Sequence, residues 1–207
     1  MDGCFTPADI LLPQAGTDLS KWAMVACDQY TSQPGYWAEA EAFVGEAPST
    51  LRMTLPEVYL GSADEPQRIH AIHETMADYL RRGVLVPAVQ NGFVLTQRIT
   101  VSGTRLGLVG KIDLDAYDYT PGASSPIRAT EETVSERIPP RMRIREGAAV
   151  ELPHIMVLAD DPGMALIEPV FENRGALPLL YDTELFGGGG RILGYGVTGE
   201  AARALTS

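Results

Sequence analysis

Between residues 64 and 119 the apolar residues change period, and that change ties a helix to an antiparallel ribbon. From Asp64 to Arg82, Ile69, Ile72, Met76 and Leu80 recur at three- and four-residue steps and so share one helical face. Asp64 is placed to cap the start and Gly83 to close the end. From Phe93 to Tyr119 the period falls to two on both sides of Ser102-Gly103-Thr104, the pattern of a β-hairpin. The expected class is mixed α+β, a mixed and partly antiparallel sheet with flanking helices.

Weaker signals extend the pattern. Pro34 opens and Gly45 stops a helix through Tyr36–Val44. The apolar run Trp22–Cys27 predicts a strand, as does Leu51, Met53 and Leu55 alternating with Arg52 and Thr54, and Pro153–Ala159 predicts a buried strand. Residues 160–207 are rich in Gly and Pro and yield no assignment. With 207 residues, 45% of them hydrophobic, the chain can bury a proper core, and it is expected to be one globular region spanning 1–207.

A formal charge of -11 argues against non-specific binding to nucleic acid or an anionic membrane, because both present a negative potential that an acidic chain repels. Small-molecule or protein partners are expected instead. Apolar runs such as Ile155–Ala159 are too short to span a bilayer, and MDGCFTPADILLPQ has no basic leader followed by an apolar stretch. Cys4 and Cys27 are too few for a disulfide framework or zinc knuckle, so a reducing cytoplasm is expected.

Against that acidic background, five of the sixteen positive charges fall within eighteen residues: Arg128, Arg137, Arg141, Arg143 and Arg145, interleaved with Thr130, Glu131, Thr133, Ser135 and Glu136. Guanidinium groups offer planar paired donors that match phosphate and carboxylate oxygens. The segment therefore reads as an anion site or as an arginine–glutamate network bracing a helix. Pro139-Pro140 must interrupt any preceding helix and starts a second through Met142 and Ile144.

The runs KWAMVACDQYTSQPGYW, STLRMTLPEVYL, GLVGKIDLDAYDY, IRATEETVSERIPPR, ELPHIMVLADDP and LYDTELFGGGGRILGY, in this order, resemble the bacterial and archaeal proteins catalogued as domain of unknown function 1015. Members usually continue further, which implies that this chain is the N-terminal portion of one, and usually carry glycine where Glu132 stands. A strand followed by a Glu-Arg-rich helix start is also similar to the ParB and sulfiredoxin superfamily, in which such an element holds nucleotide phosphates. That resemblance implies a magnesium- and ATP- or ADP-dependent phosphotransferase, or a related phosphate-processing enzyme, acting on a small polar metabolite. Arg128, Arg137 and Arg141 would hold phosphate, Glu131 or Glu136 would act as base or hold magnesium, and Thr130 and Thr133 would lie beside them. The alternative is a non-catalytic domain that binds a nucleotide or small anion, or a structural interaction domain.

Further candidates come from the residues. Asp28 and Tyr30 follow a predicted strand, where α/β proteins place site residues, so Asp28 is a candidate base or metal ligand, or else a turn cap. Asp113, Asp115 and Asp118 crowd three carboxylates, and His154 adjoins a predicted strand as a proton-transfer candidate or a satisfied histidine. Gly187–Gly190 followed by Arg191 is a flexible hinge or an anion nest, with Asp182 just before it. Gly194, Gly196 and Gly199 match a dinucleotide fingerprint without the strand and ribose-binding acid that must follow, and His70, His73 and Glu74 lack the zincin order and read as a solvated helix face.

Overall fold

The computed structural model describes residues 3–118, 120–128 and 134–206, with backbone alone at Arg137 and Thr206. Its centre is the long strand β3 (Leu85–Thr100), which follows β1 (Phe5–Thr6) and β2 (Ala8–Pro13) in the chain. The first half of β3 pairs with β2; its second half lies between β4 (Gly103–Val109) and β7 (Gly190–Val197), with β6 (Leu179–Leu185) outside β7. A second small ladder joins β1 to β5 (Lys111–Ile112), and every ladder is antiparallel. Among the described residues six α-helices flank these sheets: α1 (Leu19–Trp22), α2 (Pro34–Val44), α3 (Glu65–Arg81), α4 (Ile138–Arg145), α5 (Glu168–Glu172) and α6 (Gly199–Thr206). The protein is α+β, as its periodicities require.

The helix α3 buries Ile69, Ile72, Met76 and Tyr79 on one stripe, against Trp22, Met53 and Leu55. Leu80, expected on that face, is instead 37% exposed because Tyr79 takes the buried position, and Asp64 stands at the N-cap without a side-chain capping hydrogen bond. Phe93, Leu95 and Val197 rise from one face of the sheet and pack beneath Ala202 of α6. A third cluster, Val25, Trp37 and Leu185 with Ile192 against it, fixes α2 to the opposite face. The hairpin β3–β4 holds Thr100 opposite Gly103, so the turn forms where the sequence places it.

Three predicted strands do not form. At Trp22–Cys27 the side chain of Asp18 accepts the Ser20 amide at 3.0 Å, starting a helix that consumes Trp22, and the rest of the run is irregular. At Leu51–Leu55 the Ser49 hydroxyl accepts the Leu51 amide at 3.2 Å and begins a 3-10 turn over Thr50–Arg52; Met53 and Leu55 are nevertheless buried. Pro153–Ala159 is not a strand, and Ile155 and Leu158 are 78% and 77% exposed. An apolar run becomes a strand only where another edge accepts its backbone groups, and among the described residues none does.

The unassigned C-terminal part holds a β-hairpin whose glycines serve close packing. Gly187–Gly190 is the turn between β6 and β7 rather than a hinge: Gly187 has φ 66°, and a Cβ on Gly190 would lie 2.3 Å from the Ile99 carbonyl oxygen. Gly194 and Gly196 lie within β7, so the apparent dinucleotide fingerprint is a strand and not a loop opening a phosphate-binding helix.

Candidate functional site

The helix α4 starts where the sequence dictates. The Pro139-Pro140 pair occupies its first turn, where missing amide donors cost nothing, and Arg143 and Arg145 fall in its last turn, where cations favour the exposed carbonyl ends. A 3-10 turn, Ser135–Arg137, leads into it.

Three of its arginines reach carboxylates. The Nη2 of Arg141 lies 2.5 Å from Glu57, and that of Arg143 lies 2.5 Å from the buried Glu65 at the start of α3. Arg145 pairs with Glu151 and donates to the Pro153 carbonyl at 3.1 Å. The Nε2 of His73, on α3, donates to the Ile144 carbonyl at 2.8 Å; His73 is thus a half-buried brace, not part of a solvated face. Glu65 also accepts the Gly61 amide at 2.5 Å. The hydrogen bond from Arg143, then that from Gly61, holds its carboxyl below the ordinary range. All three arginines thus make the ion pairs that the bracing alternative requires.

Arg141 differs from the other two in its surroundings. The Glu57 amide donates to the Cys27 carbonyl at 2.9 Å, which brings the turn after Cys27 beside the Arg141–Glu57 pair. The hydrogen bond to Glu57, with added fields from Cys27 and Asp28, raises the Arg141 guanidinium, while burial first and then Asp28 and Glu57 push the Cys27 thiol up. Asp28 itself is exposed and, among the described residues, accepts only from its neighbour Gln29, at 3.3 Å. Asp28 and Arg141, picked out separately in the sequence, therefore share one face of the molecule. Asp28 does not follow a strand as expected; it follows an irregular segment tied down by Glu57.

The remaining candidates separate. Tyr30 stacks on Tyr36 with ring centroids 3.9 Å apart and closes the aromatic cluster that docks the β6–β7 turn. Asp182 and Arg191 pair with each other across β6 and β7, at 2.6 and 2.5 Å, so Arg191 completes no nest at the glycine turn. His154 keeps contact with solvent beside Pro153, whose carbonyl Arg145 holds. Asp113 caps a 3-10 turn through the Asp115 amide, and Asp118 accepts from Thr120. Arg128 and Glu136 are exposed, and neither forms an ion pair with a described residue. Thr130, Glu131 and Thr133 lie outside the described residues, as does the side chain of Arg137.

Among the described residues no three His, Cys, Asp or Glu side chains are grouped to hold a metal ion. Two hollows of about 340 and 320 Å³ are lined by residues of β2 and β3 and by residues 14–18 with Ala47 and Pro48; neither includes an arginine of α4. Sequence reasoning missed Glu57 and Glu65, whose signal is absent locally because each lies far along the chain from its arginine. No helix among the described residues is long and apolar enough to cross a membrane.

These features define an α+β protein whose arginine helix is held to Glu57, Glu65 and Glu151, with the exposed Asp28 near Arg141. The chain belongs to the family described as Protein of unknown function (DUF1015), which matches residues 11–201. No curated protein and no solved structure matches it.

Proposed function

We propose that the face shared by Arg141 and Asp28 receives a phosphate-bearing small molecule, and that its chemistry is phosphoryl transfer from ATP or ADP to a small polar metabolite. The observation that carries this reading is that Asp28, which makes no ion pair among the described residues, lies near enough to Arg141, a half-exposed guanidinium, for its charge to act on it. Phosphoryl transfer needs little from a protein beyond positioning and charge neutralisation. Asp28 would hold a magnesium ion that arrives with the nucleotide, since magnesium on a nucleotide takes one or two carboxylates and keeps water and phosphate oxygens. The ion supplies charge neutralisation on the phosphates; Arg141, with Arg128 and Arg137 nearby in sequence, holds and orients their oxygens. Two free cysteines and the acidic charge support a cytoplasmic setting with small-molecule partners.

A second reading has its own observation. Arg141, Arg143 and Arg145 all hold carboxylates already, which favours a non-catalytic small-anion-binding or structural interaction domain. A thermal-shift panel of ATP, ADP, CTP and GTP with magnesium separates the readings, because ligand at a hundred times its Kd stabilises by about 2.7 kcal/mol. Turnover of nucleotide with pooled small metabolites then tests catalysis. No shift with any nucleotide overturns the phosphate-binding reading; a shift without turnover leaves the binding domain.

A further inference from the structure

Strand pairing sets Arg98 of β3 directly opposite Arg105 of β4. Directly paired residues project from the same face with Cβ atoms about 4.5–5.5 Å apart, and like charges placed so destabilise a sheet. Among the described residues no carboxylate pairs with either arginine, although the chain carries 27 acidic residues. Both take neutral partners instead. Arg98 Nη2 donates to the Gly189 carbonyl at 2.8 Å while its Nε is buried without an acceptor, and Arg105 Nη1 meets the Met156 sulfur at 3.5 Å. A buried donor left without an acceptor is destabilising, so a fold retains one where something else compensates.

The next row of the same face is built for close approach. Thr96 is flanked by Gly107 on β4 and Gly194 on β7. Tyr181 of β6 folds across Gly194, where a Cβ would lie 2.1 Å from its ring and 2.6 Å from its hydroxyl. The hydroxyl is thereby carried over β7 towards β3. Burial pushes this phenol up to about 12, which keeps it a donor at neutral pH. The Thr96 hydroxyl donates to the Gly107 carbonyl at 3.3 Å, so two guanidinium groups and a phenol beside bare glycine backbone make this face rich in donors, and none of them forms an ion pair with a described carboxylate.

We propose that Arg98, Arg105 and Tyr181 form a binding site for the phosphate or carboxylate group of a small anionic metabolite. An oxyanion between the arginines turns their repulsion into attraction and supplies the acceptor that Arg98 Nε lacks. The site uses no residue of α4 or of the turn after Cys27, so it stands independently of the function proposed above.

Isothermal titration of the full chain with inorganic phosphate, and separately with succinate at the same ionic strength, tests it. Saturable binding of at least one is expected; phosphate alone assigns a phosphate group and succinate alone a carboxylate. Arg105→Gln alters an exposed side chain and should fold, keep or raise its melting temperature without added anion by relieving the opposed charges, and weaken binding about tenfold or more. Tyr181→Phe should also weaken binding, and Arg81→Gln, which alters an exposed pair with Asp78 remote from both sites in the sequence, should leave it unchanged. Saturable binding of neither anion, or unaltered binding by Arg105→Gln, overturns the inference. Binding lost in Arg141→Gln but kept in Arg105→Gln moves the anion to α4, which sinks this site and leaves the proposed function standing.

Discussion

Arg143→Ala should destabilise the protein far more than a half-exposed arginine ordinarily would. Its partner decides this. Glu65 is 6% exposed in its side chain and accepts only two donors, Arg143 and the Gly61 amide. Truncating Arg143 leaves a buried carboxylate on a single backbone donor. Breaking a fully buried pair costs about 3–5 kcal/mol and breaking an exposed one under about 1 kcal/mol. Because the Arg143 side chain is 53% exposed, water already screens the pair, and the cost falls between these limits, at about 2 kcal/mol. In a chain of this size that lowers Tm by roughly 4–8 °C.

The same pair fixes a pH dependence. The Glu65 carboxyl is held below its usual 4.5, first by the Arg143 hydrogen bond and then by the Gly61 amide. A depressed folded-state pKa means that the unfolded chain binds the proton more readily, so the stabilisation is complete above the unfolded value and is lost as pH falls through the folded one. The wild-type advantage over Arg143→Ala should be full at pH 7 and shrink progressively below the usual carboxylate range. Urea unfolding followed by circular dichroism at neutral and acid pH measures it. A difference under about 0.5 kcal/mol at pH 7, or one that persists undiminished at pH 3, would refute the reasoning.

Three other outcomes follow from the packing. Gly194→Ala should cost about 1–3 kcal/mol by overpacking against Tyr181, and adding Tyr181→Ala should recover part of that loss in thermal melts; no recovery places the clash elsewhere. Tyr79→Phe removes the oxygen that accepts the buried Ser49 amide at 3.2 Å and should cost about 1–3 kcal/mol, with faster hydrogen exchange at that amide. Arg191→Ala breaks an exposed pair with Asp182 and should cost under about 1 kcal/mol, a difference that fades in salt near 1 M as screening shortens to about 3 Å.

The elements legible in the sequence are those whose causes are local. The stripe of α3 and the β3–β4 hairpin depend on residues a few positions apart, so periodicity alone exposes them. The strand expected at Trp22–Cys27 fails because Asp18 caps a helix just upstream, a single hydrogen bond that outweighs an apolar run. The C-terminal glycines resisted assignment for the opposite reason. Gly190 and Gly194 exist to admit the Ile99 carbonyl and the Tyr181 ring, and neither neighbour is identifiable until the strands are paired. The arginine cluster was visible as a concentration of charge, whereas its partners Glu57 and Glu65 are tertiary facts.

That distinction separates two arginines standing two positions apart on α4. Residues so spaced project to different sides of a helix, and the two meet different partners. Arg143 holds a carboxylate that is almost wholly buried, so exchanging it for a ligand would strand Glu65. Arg141 is 48% exposed and its partner Glu57 is 17% exposed, with Asp28 beside them, so a phosphate can displace Glu57 towards solvent at small cost. Arg141→Gln should therefore leave Tm nearly unchanged and weaken nucleotide binding about tenfold or more, whereas Arg143→Ala should lower Tm and leave the affinity of the folded protein intact. Paired thermal-shift titrations of the two variants read both effects at once. If the roles are reversed, or if both variants lose stability alike with no change in binding, α4 is a brace along its whole length and phosphate must be sought elsewhere on the molecule.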